Sequence, residues 1–194
     1  AHYRPDSRIT ERQRGNIPPS RRKASQALIM SDKTYHPTTQ AIRELLSEHD
    51  CWFEAFEHEP VKTSEEAAKV RTGYTLHQGA KAIIARVKIS SQNKKFVMIV
   101  IPGDRRFDTA KIKNIYSAKD IRFATVEEVS EITGGILPGG VPPFGNLFNL
   151  EVISDSVLLA NEKIIFNAGD RSYSIGMYSR DYIKVVSPVV TSIT

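Results

Sequence analysis

The segment "KAIIARVKISSQNKKFVMIVI" at residues 81–101 decides the fold of this chain. It contains two mostly apolar runs rich in β-branched residues, "KAIIARV" at 81–87 and "KFVMIVI" at 95–101, on either side of a polar stretch. Side chains that branch at Cβ favour strands, and a short polar connection between two such runs is typical of a hairpin. The segment therefore predicts a hairpin of two central strands.

Helix-start signals lie on both sides of this hairpin. Thr63 and Thr125 are each followed three residues later by a glutamate, which is the capping-box pattern at a helix N-terminus. A helix is also predicted from Thr38, behind a threonine cap, and another begins after Asp108 as its cap. Two more short helical stretches are "SVLLAN" (156–161) and "RDYIKVV" (180–186).

Further strand candidates are scattered between these helices. They are "WFEAFEH" (52–58), "DIRFAT" (120–125), "LEVISD" (150–155), "KIIFNAG" (163–169) and "YSIGMYS" (173–179). An order that mixes hairpins with short helices is typical of the α+β class rather than of a regular doubly wound fold. We expect a single α+β domain, with a mixed β-sheet surrounded by short helices.

The net positive charge of the chain comes from its first 33 residues. Residues 1–33 hold eight Lys or Arg and three Asp or Glu, and the remaining chain carries equal numbers of both signs. A segment this poor in apolar residues cannot offset its ordering entropy by burial, so we expect a disordered basic tail at 1–33 and a folded domain at 34–190. The tail is either an arm with salt-sensitive affinity for RNA phosphates or a solvated extension without a role.

Composition excludes several classes of protein. The longest apolar runs, such as "FVMIVI" at 96–101, are far too short to cross a bilayer, so no membrane span is predicted. The first thirty residues lack the apolar core of a secretory signal, and we expect a cytoplasmic protein, with import into an organelle as the alternative that an Arg-rich, acid-poor start leaves open. A single cysteine, Cys51, excludes an intrachain disulfide and a zinc site built from several cysteines.

Familiar catalytic motifs are absent from the sequence. It contains no G-x-S-x-G elbow, no phosphate-binding P-loop, no G-x-G-x-x-G after a strand and no H-E-x-x-H. The five histidines have no metal-ligand spacing, so neither a metal nor a cofactor is predicted. Lys81 begins an apolar strand, where its ammonium is either a solvated strand end or a partly desolvated cation that faces a cleft.

A loop rich in glycine and proline occupies residues 134–145, "GGILPGGVPPFG". Five glycines and three prolines in twelve residues are too many for the interior of a helix or strand. Most loops of this kind only connect two elements. The alternative is a functional loop, and the rest of the chain has to decide between the two.

Several separated blocks of sequence together resemble one known family. In chain order they are His58-x-Pro60, Thr63–Ala68, Gly79–Ala82, Ile101–Asp104, Thr133-Gly134 with Gly139–Gly145, Asp155-Ser156 and Ala168-Gly169. Over roughly residues 55–190 the chain resembles the YbaK-like aminoacyl-tRNA editing domains, which include free-standing deacylases and the editing insertion of bacterial prolyl-tRNA synthetases. The resemblance implies a mixed, partly barrel-like sheet with helices around it, and a pocket that hydrolyses the ester between a wrong amino acid and the 3′ end of a tRNA.

Carried over residue by residue, the resemblance implies a catalytic Lys81 and a G-x-x-x-P loop formed by Gly139 and Pro143. In the implied mechanism a positioned water attacks, while Lys81 and the main chain at Gly139 and Gly140 stabilise the oxyanion. Glycine lets main-chain amides approach the reacting carbonyl, and proline keeps that approach rigid. The implied substrate-binding residues are His58, Thr63, Val141, Pro142, Pro143 and Gly169. For Thr63, a helix-capping role is the alternative.

Functions from different classes remain open at this point. The first is a trans-acting deacylase that binds the tRNA acceptor end and removes Ser, Thr, Ala or Cys, with an aminoacyl-tRNA synthetase as a further candidate partner. The second is a non-catalytic tRNA- or synthetase-binding module of the same fold, and the third is a basic nucleic-acid chaperone that acts through its tail. In alanine-specific prolyl editing enzymes an Asn follows the lysine, whereas this chain has Ala82, so the resemblance does not imply alanine specificity.

Overall fold

The computed structural model describes residues 33–194, and the predicted basic tail lies outside these residues except for Lys33. The strands are β1 (Phe53–Glu57), β2 (Ala80–Lys88), β3 (Lys94–Pro102), β4 (Asp120–Phe123), β5 (Glu151–Asp155), β6 (Lys163–Asp170), β7 (Tyr173–Tyr178) and β8 (Val189–Thr191). The α-helices are α1 (Pro37–Glu48), α2 (Ser64–Val70), α3 (Thr109–Tyr116), α4 (Val126–Thr133), α5 (Ser156–Leu159) and α6 (Ser179–Val186). Within the described range, no helix combines the length and the apolar character needed to cross a membrane.

The predicted hairpin forms the centre of a five-stranded mixed sheet. β2 pairs with β3 along its whole length, from Ala80 opposite Pro102 to Lys88 opposite Lys94. β4 extends the sheet on the β2 side, and β5 and β8 extend it with parallel pairing on the β3 side. The central-hairpin prediction is therefore confirmed, whereas the three-residue strand β8 was not predicted.

A second sheet contains three antiparallel strands in the order β1-β7-β6. The two sheets contribute side chains to one hydrophobic core and meet at an isolated parallel bridge between Gly79 and Ile165. In the part of the chain that the structure describes, the strand ladders do not close into a barrel. The α+β class, with mixed pairing and short helices, is confirmed.

The apolar run of β3 supplies side chains to two separate cores. Met98 and Val100 belong to the core between the sheets, whereas Val97 and Ile99 belong to a second core with Ile112 of α3. Successive side chains of a strand point to opposite faces, so a strand covered on both faces needs an uninterrupted apolar sequence. This double burial explains why "FVMIVI" lacks the alternation of a half-exposed strand.

Local signals predicted most helix starts correctly. Thr63 and Thr125 form the predicted capping boxes of α2 and α4, and Asp108 caps α3. The threonine cap predicted for α1 is wrong, because the ring of His36 accepts the hydrogen bond from the Thr38 amide. A proline occupies the first helical position of α1, where a missing N–H costs the helix nothing.

Candidate active site

A cavity of about 430 Å³ lies beside β2. β4 pairs only with residues 85–88 of β2, and residues 80–84 of the same strand line the cavity instead. The rest of the cavity wall comes from the capped start of α2, the junction of β4 with α4 and the glycine-proline loop. In addition to Gly79 and residues 80–84, the lining residues are Lys62, Thr63, Ser64, Ala67, Arg71, Phe123, Ala124, Val126, Val129, Pro138, Gly139, Val141 and Asn167.

The structure brings some of the predicted site residues together at this cavity. Those that line it are Lys81, Thr63, Gly139 and Val141. Those that do not line it are Gly140, His58, Pro142, Pro143 and Gly169. Lys81 and the glycine-proline loop, both of which the oxyanion hypothesis requires, therefore line the same cavity.

Lys81 is a partly buried ammonium on β2. Its Nζ donates hydrogen bonds to the carbonyl of Arg105 at 2.7 Å and to the carbonyl of Gly103 at 3.4 Å. Within residues 33–194, no carboxylate oxygen lies within 4.0 Å of this nitrogen. Burial lowers the pKa of Lys81 because it disfavours the charged form. An ammonium carries three N–H groups, so one remains for a ligand.

The β6–β7 hairpin holds the glycine-proline loop in place. Asn167 Nδ2 donates to the carbonyl of Gly139 at 2.6 Å, and the amide of Gly169 donates to the carbonyl of Gly140 at 3.0 Å. Arg171 Nε donates to the preceding carbonyl, at position 138, at 2.9 Å. Three consecutive carbonyls are therefore fixed, and Gly169 contributes to the site through its amide rather than by lining the cavity.

Gly139 is the position in this loop that requires glycine. Its φ of +90° lies in the left-handed region, and a Cβ there would lie 3.3 Å from the carbonyl oxygen of Lys62. The Gly140 amide donates to the carbonyl of Leu137 at 2.9 Å and so closes a turn. The Gly139 amide has no hydrogen-bond acceptor among the described residues. Of the two glycine amides in the oxyanion hypothesis, the one at Gly139 is free to bind a ligand.

Three other predicted residues lie outside the cavity wall. His58 Nε2 is 2.8 Å from the hydroxyl oxygen of Ser174, and its Nδ1 is 2.8 Å from its neighbour's carbonyl oxygen at position 59. Burial lowers the pKa of His58. Pro142 and Pro143 are buried, and the carbonyl of Pro143 accepts a hydrogen bond from the hydroxyl of Tyr182 at 2.8 Å. These residues anchor the surroundings of the cavity.

Sequence reasoning missed four polar residues of the cavity wall, Lys62, Ser64, Arg71 and Asn167, of which Arg71 and Asn167 are bonded to each other. Arg71 is only 7% exposed; its Nε donates to Ser174 Oγ at 3.0 Å, and its Nη2 donates to Asn167 Oδ1 at 2.8 Å. Desolvation lowers the pKa of Arg71 to about 10. The one available signal was the polar Asn167 inside the otherwise apolar strand "KIIFNAG".

The charged residues of the cavity wall are all cations. Lys62, Arg71 and Lys81 line it, and its lining residues include no Asp or Glu. Across residues 33–194, no cluster of three or more His, Cys, Asp or Glu side chains could hold a metal ion. The electrostatics of the cavity therefore favour a ligand group whose oxygen atoms carry negative charge, and disfavour a cationic group.

Comparison with known proteins identifies relatives in sequence. The profile of the aminoacyl-tRNA editing domain matches residues 58–185. The "Multifunctional Ser/Thr-tRNA deacylase ProXp-y" of Escherichia coli K12 is 30% identical over 152 residues, which cover 78% of this chain and 89% of that protein. A proline–tRNA ligase of Bacillus licheniformis is 34% identical over 127 residues, which cover 64% of this chain and 21% of the ligase.

A solved structure shows the same fold. It is described as that of a candidate trans-editing enzyme for prolyl tRNA synthetase, and it matches with a TM-score of 0.68 at 22% identity over 83% of this chain and 99% of that one. The profile match and the Escherichia coli relative both span most of this chain. They confirm the resemblance seen in the sequence blocks: the chain belongs to the YbaK-like aminoacyl-tRNA editing domain family.

Proposed function

We propose that this chain is a trans-acting aminoacyl-tRNA deacylase that hydrolyses the ester of a tRNA mischarged with a small amino acid. The observation that carries the proposal is the cavity that both Lys81 and Gly139 line, because the Lys81 ammonium is partly desolvated and the Gly139 amide has no acceptor among the described residues. Family membership supports it, as does the deacylase activity named for the Escherichia coli relative.

The chemistry needs no covalent nucleophile, because an aminoacyl ester is already activated. A water oxygen adds to the ester carbon, and the electron pair of the C=O double bond moves to the carbonyl oxygen. The attacking water gives up one proton, the tetrahedral intermediate re-forms its C=O bond and expels the ribose oxygen, and that oxygen takes up the proton, so the products are the free amino acid and the uncharged tRNA. Lys81 and the Gly139 amide stabilise the charged oxygen, and each such donor typically contributes about 10²–10³ in rate.

The cavity wall suits a small acyl group. Small apolar side chains such as Ala67, Ala82 and Val129 line the cavity together with the hydroxyl-bearing residues Thr63 and Ser64. Size alone separates small amino acids weakly, because one methylene group in an apolar pocket is worth only about 1–3 kcal/mol. Ser-tRNA and Thr-tRNA are the first substrates to test, because the Escherichia coli relative is named for them. Ala-tRNA and Cys-tRNA complete the set.

A panel of mischarged tRNAs tests the proposal directly. Full-length protein is mixed with tRNAs that carry labelled Ser, Thr, Ala or Cys, and tRNAs that carry Leu or Phe serve as size controls. We expect release of at least one small amino acid well above the rate in buffer, and no release of the bulky ones. Lys81→Ala, run in parallel, is expected to abolish that release.

If the panel shows no hydrolysis, the way in which the protein binds tRNA separates two non-catalytic functions. If no member of the panel is hydrolysed while the protein still shifts uncharged tRNA in a gel, the chain is a non-catalytic tRNA-binding module of the same fold. A synthetase-binding module predicts instead that the protein co-purifies with a prolyl- or other aminoacyl-tRNA synthetase and binds tRNA only through it.

Substitution separates two possible roles of Thr63. Its Oγ1 accepts a hydrogen bond from the Glu66 amide at 3.1 Å, and the residue also lines the cavity. Thr63→Ala is expected to lower the free energy of unfolding by about 1 kcal/mol, as should Thr125→Ala in the matching capping box of α4. Urea denaturation measures both losses. A rise in KM that is confined to the Thr63 variant shows substrate contact, whereas equal kinetics for the two variants show a cap alone.

A further inference from the structure

Among the residues that the structure describes, Arg71 is a buried cation of the cavity wall without a carboxylate partner. It is 7% exposed, and within residues 33–194 no Asp or Glu oxygen lies within 4.0 Å of its guanidinium. A buried charge is costly unless it is paired, and buried arginines are normally paired with acids. The described residues therefore leave the charge of Arg71 without a negative partner in this cavity.

The guanidinium is fixed by neutral partners. Arg71 Nε and Nη2 donate to Ser174 Oγ and Asn167 Oδ1, and Ser174 Oγ donates in turn to Asn167 Oδ1 at 3.0 Å. The edge of the planar group formed by Nε and Nη2 is held in this way, so its orientation is set by the protein itself. The same Asn167 side chain donates to the carbonyl of Gly139, which ties the guanidinium to the glycine-proline loop.

One end of the guanidinium remains open. Nη1 makes no hydrogen bond to the described residues. It lies 3.8 Å from the position that the Cβ of a side chain at residue 79 would occupy. Both Arg71 and Gly79 line the cavity. Because residue 79 is a glycine, no side chain covers Nη1 from that position, and the two N–H donors of Nη1 have no partner among the described residues.

We propose that Arg71 forms an anion subsite in the cavity and that, during deacylation, this subsite holds the ester carbonyl oxygen as it gains negative charge. The assignment rests on the proposed function. The α-amino group of a small aminoacyl ester is a donor and becomes a cation when protonated, so the guanidinium repels it. The carbonyl oxygen is the atom of that group that gains charge when water adds. Lys62 is exposed on the same wall and is the better-placed cation for the RNA chain itself.

Steady-state kinetics test the assignment through kcat and KM. Arg71→Met keeps a long side chain but removes the charge and the N–H groups. It is expected to lower kcat about 100- to 1,000-fold and to change KM by less than about threefold, because the interaction is made mainly in the transition state. Urea denaturation checks that the variant is folded. An unchanged kcat in a folded Arg71→Met protein overturns the assignment.

Chemical rescue separates a catalytic role from a positioning role. Arg71→Ala leaves a space for a small planar molecule, and guanidinium chloride at about 50 mM is expected to restore kcat at least tenfold. Urea at the same concentration is the matched control, because it has a similar shape and no charge. Equal recovery with urea, or no recovery with guanidinium, contradicts the direct role of the charge.

Inorganic phosphate tests the subsite without any turnover. At constant ionic strength, added phosphate is expected to raise the Tm of the wild-type protein, and this protection should be lost in Arg71→Met. Lys119→Met, which removes an exposed cation outside the cavity wall, should keep the protection. Equal protection of wild type and Arg71→Met overturns the subsite, whether or not any tRNA is hydrolysed. A wild-type protein that hydrolyses no tRNA rejects the proposed function instead.

Discussion

Replacement of Lys81 by methionine is expected to lower kcat/KM for deacylation by at least about 100-fold without unfolding the protein. Methionine keeps much of the side chain's length but removes the ammonium, so the oxyanion loses a charged donor. The loss is large because the site is partly dehydrated, and charges interact more strongly there than in water. Release of labelled Ser or Thr from mischarged tRNA under single-turnover conditions measures the effect.

A matched lysine separates this effect from a structural one. Lys81 also donates to the carbonyls of Gly103 and Arg105, and its loss removes two bonds to that segment. Lys111 Nζ donates to the carbonyl of Thr194 at 2.9 Å away from the cavity wall, so Lys111→Met loses a comparable bond. The control should keep full activity. If Lys81→Met keeps more than about a tenth of the wild-type kcat/KM, Lys81 is not a charged donor to the oxyanion.

Asp155→Ala is expected to lower the free energy of unfolding by about 3–5 kcal/mol. Asp155 is fully buried and accepts hydrogen bonds from the amides of Val157 at 2.7 Å and of Ile193 and Thr194 at 2.8 Å each. These bonds join the start of α5 to the segment after β8, and the substitution leaves three amides without an acceptor. Urea denaturation measures the loss. Asp108→Ala, at the exposed cap of α3, is the control and should cost about 1 kcal/mol.

The carboxylate of Asp155 also makes the stability of the protein depend on pH. Burial opposes ionisation of Asp155, but the amide donors outweigh it and hold the pKa below its usual value. A lowered pKa contributes stability that is fully present above the unfolded-state pKa, about 4, and is lost as pH falls through the folded-state pKa. The stability difference between wild type and Asp155→Ala should therefore shrink as pH falls below about 4. A difference that stays constant down to pH 2 contradicts this account.

Elements that depend on neighbouring residues could be predicted from the sequence, and elements that depend on distant partners could not. The capping boxes of Thr63 and Thr125 and the β2–β3 hairpin are local patterns, and all three are present. The cap of α1 was missed because a histidine ring took the place that threonine usually fills. The strand β8 has three residues, and it exists only because β5 lies beside it.

The candidate site shows the same limit. The resemblance located the right segments, but which side chains of a segment face a cavity depends on how that segment packs. Lys81 and Gly139 line the cavity, whereas the neighbouring Gly140 uses its amide to close a turn. Arg71 and Asn167 are 96 positions apart in the chain, so no local pattern could pair them.

The hydrogen bonds that hold the carbonyls of residues 138–140 have a consequence for substrate choice. Asn167, Gly169 and Arg171 hold that segment through the protein's own hydrogen bonds, so widening the cavity there for a larger acyl group would break them. Under the proposed function, discrimination against bulky amino acids comes from pre-existing stiffness and needs no lid that closes over the tRNA end. Attempts to broaden the range of accepted amino acids should therefore leave these hydrogen bonds intact. They should begin with Ala82 and Val129, which line the cavity outside the 138–140 segment.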